Sequence, residues 1–383
     1  MVPQAFAVLE RCVAEGLVPG AVAAVGTAEG TLHRQAFGWA SLTPRRRPLA
    51  EDDLFDLASL TKIVVTTTLA LRYLEQGRLF LEQPLASLLP AFRDEDEDGA
   101  RRRVTLRHLL THTSGLPAWK DLRPDHRDGP DAPRAAGAPP LEAALSEPLE
   151  RPPGVAVVYS DLGYIALGTA LSTVGGAPLP ELARHEVLAP LKMEGATYLP
   201  SAAATARCVA TEDIPDRGGD LQGIVHDDNA GAMGGVAGHA GLFATCAGLE
   251  RFCRMWLGMG TLEGQRFLSP ATVRLATRDQ TSAPDRSQLT AQPGSGQPGS
   301  DNRRGLGWVL QPNPFWVPAD LCSPEAYGHT GYTGTSLLLD PVAGIFAVLL
   351  TNRVHPSREN GSAGAVREVR ARFHNAVWAA LAG

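Results

Sequence analysis

The chain has 383 residues, 44% of them hydrophobic and 20% charged, with a formal net charge of −6. That length calls for two or three structural units rather than one small core, and the composition is that of an ordinary globular protein. The acidic balance gives no electrostatic footing for a nucleic acid or an anionic membrane surface as partner.

From the N-terminus, Pro3 to Glu15 reads as a helix that ends before Pro19-Gly20. Two β-like runs follow, Ala21–Gly26 and Leu32–Trp39, with a hairpin turn at Glu29-Gly30. Ser59-Leu60-Thr61-Lys62 then opens a helical pattern over Ile63 to Gln76, with Gly77 as its stop. The acidic run Asp94–Asp98 and the arginines 101 to 103 read as a solvated turn. Asp121–Pro140 and Ala283–Arg304, rich in Pro, Gly and polar residues, read as exposed loops. Short strands are expected at Gly305–Leu310, Tyr327–Thr330, Ser336–Asp340 and Ile345–Thr351, and a last helix from about Gly364 to Leu381.

Strands at both ends with helical patterns between them give an α+β fold: an antiparallel sheet flanked by helices, plus an inserted, mostly helical domain. The expected division is 1–58 and 269–383 for the sheet domain and 59–268 for the helical one, with the site in the cleft between. Five cysteines, at 12, 208, 246, 253 and 322, form no CxxC pair. They read as free, mostly buried thiols of a reducing compartment. Glu10, Arg11 and Glu15 interrupt any signal-peptide stretch, and no 18-residue apolar run occurs. The expected location is cytoplasmic as given, or periplasmic or secreted if a leader has been removed.

Three short segments carry chemistry. Ser59 and Lys62 stand at i and i+3, so hydroxyl and ammonium share one helix face. A lysine serves as base for a serine where burial or a helix N-terminus lowers its pKa. A serine N-cap with an incidental lysine reads the same way. Tyr159-Ser160-Asp161 lies on a turn after Pro152-Pro153-Gly154; a tyrosine near an ammonium can act as general base and then general acid. Alone, such a turn is commonplace. His329-Thr330-Gly331 ends a strand, where glycine lets a substrate approach and the Tyr332 amide can face an oxyanion.

Order and spacing together say more. SxxK on a helix, a Tyr-x-Asp turn about a hundred residues on, and a His-Thr-Gly strand near the C-terminus resemble the motif set of serine β-lactamases and penicillin-binding proteins. The resemblance is closest to the class C group with its esterase and D-peptidase relatives, and it runs from about Pro19 to the last helix. Leu109 to Pro117 (LLTHTSGLP) and Gly234 to Phe243 (GGVAGHAGLF) share it. It implies that Ser59 is acylated, Lys62 helps deprotonate it and Tyr159 shuttles protons. It further implies an oxyanion hole from the Ser59 and Tyr332 amides and substrate contacts from Asp161, His329, Thr330 and Gly331.

Two departures matter. Asp161 stands where the family has asparagine; its carboxylate near Lys62 would favour the ammonium and shift proton work to Tyr159, unless it faces away. His329 stands where β-lactamases carry lysine, so a permanent counter-charge for a β-lactam carboxylate is missing. A metal site from His226, Asp227, Asp228 and His239 is the lesser reading, hydrogen-bonding within a loop the better one. His112 reads as fixing its own turn. Trp119, Trp308 and Trp316 are pocket candidates, Trp308 more naturally a core residue.

The expectation is therefore a serine hydrolase, without metal or cofactor, that acts through an acyl-enzyme on D-amino-acid peptides or small esters. A β-lactamase proper and a penicillin-binding sensor that acylates without turnover are the alternatives. Partners are a small molecule or short peptide, with no nucleic acid and no membrane span; the oligomeric state is open.

Overall fold

The computed structural model describes residues 2–92, 99–123, 140–281, 303–311, 313, 318–359 and 363–382. The acidic run Asp94–Asp98, most of both proline-rich stretches and Trp316 lie outside these. The largest element is a seven-stranded antiparallel sheet. Gly20–Gly26 pairs with Thr31–Ser41 on one side and with Ile345–Thr351 on the other, Ala21 lying opposite Thr351. Ser336–Asp340, Tyr327–Thr330 and Val309–Leu310 follow outward, and Arg47–Pro48 closes the far edge. Both ends of the chain thus build one sheet.

Alternation along the strands divides the core in two. Ala21, Ala23, Val25, Leu338 and Leu349 face the helices Val2–Ala14 and Ala363–Leu381. Those helices bury Ala5, Phe6, Leu9 and Cys12, and Val369, Phe373 and Val377, at the three- and four-residue spacing of an amphipathic stripe. Val22, Ala24, Leu337, Leu339 and Val348 face the other way, onto the larger core. There the helix Cys246–Leu257 packs against the sheet, although the sequence groups it with the helical half. Trp308 lies fully buried in an aromatic cluster, its ring centroid 5.0 Å from those of Trp256 and Tyr327. Burying a side chain of that size is worth about 3 kcal/mol.

The remaining region is helical around Asp161–Gly175, most of whose residues are buried, with short strands at Thr197–Tyr198, Ala210–Ile214, Gly219–Gln222 and Leu242–Ala244. The glycine-rich segment lies directly on that helix. A Cβ at Gly238 would stand 2.1 Å from the Tyr164 carbonyl oxygen, so only glycine fits there. The expected strand Gly305–Leu310 shortens to Val309–Leu310. Gly307 adopts φ +79°, and its amide bonds the Leu110 carbonyl, which pulls the chain toward the helices. The five cysteines are unpaired, four buried and Cys322 half-buried. Among the described residues no single helix is long and apolar enough to cross a membrane.

Candidate active site

The nucleophile turn is clamped from three sides. Phe55–Asp56 pairs with Leu242–Ala244, and the Leu57 amide donates to the Leu242 carbonyl at 2.9 Å. The Asp56 carboxylate, itself buried, accepts the amides of Ala58 at 2.8 Å and His226 at 2.6 Å. From the third motif's hairpin, Thr333 and Thr335 donate to the carbonyls of Asp56 and Leu57, at 2.8 and 3.1 Å. This bonding holds Ala58 at φ +45°, a left-handed conformation costly for a residue with a Cβ, and so presents Ser59 at the mouth of the following helix. Gly331 completes the fit, since a Cβ there would lie 2.5 Å from the Leu57 carbonyl.

Lys62 begins a π-helical stretch, Lys62–Thr67, the kind of irregularity that re-aims side chains at functional sites. Its ammonium is fully buried and meets three acceptors: Ser59 Oγ at 2.9 Å, the His239 carbonyl at 3.3 Å and Asp161 Oδ1 at 2.7 Å. An amine so surrounded by acceptors, the Tyr159 oxygen among them, is held as ammonium and has no lone pair for base work. Burial alone would lower the Lys62 pKa, but the charge of Asp161 and the neighbouring Tyr159 raise it above its ordinary value. Asp161 therefore faces the lysine, which settles the two orientations open from the sequence.

Tyr159 is half-buried at the cavity wall with its hydroxyl buried, the Lys62 nitrogen lies 4.7 Å from its ring centroid, and the hydroxyl interacts with both Lys62 and Ser59. Burial raises its pKa, Lys62 opposes and Asp161 adds to the rise. Its turn is fixed by the LLTHTSGLP segment. His112 Nδ1 accepts the Ser160 amide at 3.0 Å, Ser160 Oγ donates to the Pro117 carbonyl at 2.6 Å, and the Asp161 amide donates to Ala118 at 2.8 Å. His112 thus orients the second motif as well as its own turn, and the rings of His112 and Tyr159 lie 4.5 Å apart.

His329 departs from the expected substrate contact. It is fully buried, and its Nδ1 donates to the Thr330 carbonyl at 2.9 Å. Burial, Lys62 and Arg304 together hold the imidazole far below its usual pKa, so it is neutral. Strand alternation explains this: His329 shares its side with the core residue Tyr327. Thr330 and Gly331 do line the cavity before Ser59, with Tyr332, Trp119 and Asp161. The cavity has a volume of about 600 Å³. Among the described residues the Ser59 and Tyr332 amides donate to no protein acceptor, which leaves both for an oxyanion.

Two sets of residues escaped the sequence. Arg304, expected at the end of an exposed loop, is buried with its guanidinium 5.6 Å from the Tyr159 ring centroid. Arg353, Arg358, Arg367 and Arg370 line the cavity. His329 itself supplies no counter-charge, and the cations nearest the cavity are these arginines. Arg370 donates to the carbonyls of Thr335 at 2.9 Å and Gly331 at 3.3 Å, and burial and Arg353 lower its pKa to about 9. The four candidate metal ligands do not converge: His226 pairs with Glu212 at 2.7 Å and Asp228 with Arg217 at 3.1 Å, while His239 and Asp227 pair with each other at 2.8 Å. Ligand atoms of Asp161, Asp227 and His239 do lie within 4.8 Å of one another, but the Lys62 ammonium already compensates the charge there.

A family model described as Beta-lactamase matches residues 6–371. The chain belongs to the β-lactamase family. An N-acetylmuramyl-L-alanine amidase of Bacillus subtilis (strain 168) is 30% identical over 91% of this chain and 80% of its own length. A protein of Escherichia coli (strain K12) named "Putative D-alanyl-D-alanine carboxypeptidase" is 32% identical over 79% of this chain and 69% of its own. Among solved structures, EstCE1, a hydrolase with promiscuous acyltransferase activity, superposes with a TM-score of 0.74 at 22% identity, over 97% of this chain and 98% of its own. Like its β-lactamase-family relatives, the chain is a serine hydrolase.

Proposed function

We propose that this serine hydrolase cleaves an amide bond in a short peptide of bacterial cell-wall type, one whose leaving group carries a carboxylate. The observation that carries the reading is the set of arginines lining the cavity that opens on Ser59: Arg353, Arg358, Arg367 and Arg370. Arg358 is paired with Glu212 at 2.7 Å, and Asp161, Asp227 and Asp228 share the lining, so the reading rests on Arg370. A guanidinium that, among the described residues, is bound by carbonyls and by no carboxylate, as in Arg370, is a strong site for an anion. A neutral ester has no use for it. The names of the amidase and carboxypeptidase relatives point to the same class of substrate, since both involve an amide whose departing amine belongs to an amino acid or peptide.

In this mechanism Tyr159 works from its phenolate form, having first released its own proton to solvent. Ser59 Oγ attacks the scissile carbonyl and its proton passes to the Tyr159 oxygen, not to Lys62, which is held as ammonium. The Ser59 and Tyr332 amides bind the oxyanion. Tyr159 returns the proton to the leaving nitrogen as the C–N bond breaks, and water then releases the acyl group by the same route. Ser59→Ala should abolish turnover of both N-acetylmuramyl-L-alanyl peptides and D-alanyl-D-alanine peptides, measured by amine release. Wild type should process one of these at least about tenfold better than its carboxamide-capped analogue. Equal rates on acid and amide would sink the arginine argument. Accumulation of an acylated Ser59 with no amine-linked turnover would favour the sensor, with Asp161 as the suspect residue.

A further inference from the structure

Around Tyr159 the protein gathers an unusual set of charges. Lys62 approaches from the nucleophile helix, Asp161 from the same turn, His112 from the LLTHTSGLP segment, His329 from the third motif's strand, Tyr164 from the buried helix and Arg304 from before Val309–Leu310. Both histidines are neutral: burial lowers each pKa well below the usual range, and Lys62 and Arg304 add to the effect. Two cations therefore remain, Lys62 and Arg304. Lys62 shares its charge with Asp161 at 2.7 Å, so on its own it offers a phenolate less than a full positive charge. Arg304 is held by its backbone, with its amide bonded to Thr281 Oγ1 at 3.1 Å and its carbonyl accepting from Gln280 at 2.8 Å, and the residue is 1% exposed. It places a second cation over the aromatic ring, a geometry that favours electron-rich rings and phenolates above all.

We propose that Arg304 is a positioning residue for the acylation step, its guanidinium over the Tyr159 ring stabilising the phenolate that takes the Ser59 proton. It thereby supplies from another segment the positive potential that a cation at position 329 would give, and which the buried neutral His329 cannot. The inference rests on Tyr159 being the base. The proton moves from Ser59 Oγ to the Tyr159 oxygen as the Oγ–carbonyl bond forms, then to the leaving nitrogen as the C–N bond breaks; Arg304 exchanges no proton.

The test compares wild type, Arg304→Lys, Arg304→Met and Tyr159→Phe in two measurements: the pH profile of kcat/KM on p-nitrophenyl acetate, and the near-ultraviolet tyrosinate titration with Tyr159→Phe as the blank. Arg304→Met should move both the rising limb and the Tyr159 titration upward by about one pH unit, a roughly tenfold loss at neutral pH. The maximum at high pH should be kept, and Arg304→Lys should recover most of the shift. A uniform loss at every pH, with the tyrosinate titration unmoved, would overturn the proposal. If Arg304→Met does not fold, the lysine variant decides, since its shorter, compact ammonium must still move the titration by a fraction of a unit. Should Tyr159→Phe keep the wild-type rate and profile, the base assignment fails by itself. The tyrosinate titration would then still show whether Arg304 acts on Tyr159.

Discussion

At the scale of single residues, Asp161 governs the site's chemistry. Its carboxylate 2.7 Å from Lys62 keeps the lysine charged, because the ammonium is removed from water and the carboxylate at the cavity wall is its main compensation. Replacing it by asparagine removes the charge that raises the Lys62 pKa. The amine should then deprotonate at lower pH, and the rising limb of the acylation profile should move toward acid. A buried ammonium left with neutral acceptors also costs stability, about 3 kcal/mol if the site stays dry. Asp161→Asn should therefore be less stable to denaturant and more active near pH 6 relative to its own maximum. The same carboxylate raises the Tyr159 pKa, so a limb that stays in place would mean that neither Lys62 nor Tyr159 sets it.

At the scale of elements, the helix Asp161–Gly175 does two jobs through one cap. Ser160 accepts the Gly163 amide at 3.1 Å, satisfying a helix N-terminal donor, and its hydroxyl donates to Pro117 at 2.6 Å. Ser160→Ala removes both bonds. The lost cap should cost about 1 kcal/mol in chemical denaturation. The lost tether to Pro117 should loosen the turn that carries Tyr159, so kcat should fall more than KM rises. A pure stability loss with kcat unchanged would show that His112 and the Asp161–Ala118 bond suffice to hold the turn. The terminal helices are of a different kind: their apolar stripes were plain in the sequence and cover the sheet, and the last of them also turns Arg367 and Arg370 toward the cavity.

At the scale of the whole molecule, buried histidines set the pH range of stability. His374 is fully buried in the last helix, its Nδ1 donating to the Pro318 carbonyl at 3.1 Å, and burial lowers its pKa to about 4 from an ordinary 6.5. Below pH 6.5 the unfolded chain takes up a proton that the folded protein refuses. Stability from this group is thus complete above pH 6.5 and lost as the pH falls toward 4, by about 3 kcal/mol. His112 and His329 act with the same sign. The melting temperature should fall steadily from pH 7 to pH 5, and His374→Leu should flatten part of that slope. A Tm independent of pH over this range would contradict the buried, neutral state of all three.

Much of this was written in the chain itself. Strand bounds at Tyr327–Thr330, Ser336–Asp340 and Ile345–Thr351 follow from short apolar runs punctuated by turn residues, and the three motifs stand out because their residue types and spacings are local. Strand alternation even contained the fate of His329, two residues from the core tyrosine. Only the tertiary structure decided the rest. Arg304 lies 145 positions from Tyr159 beside a polar tract, and Arg370 sits in a helix studded with arginines, so both read as solvated charges. Whether Asp161 turned toward Lys62 was likewise undecidable from spacing. The physical reason is common to all three: a side chain's electrostatic role depends on its distance to charges and on its exclusion from water, and both are set when remote segments close over one another.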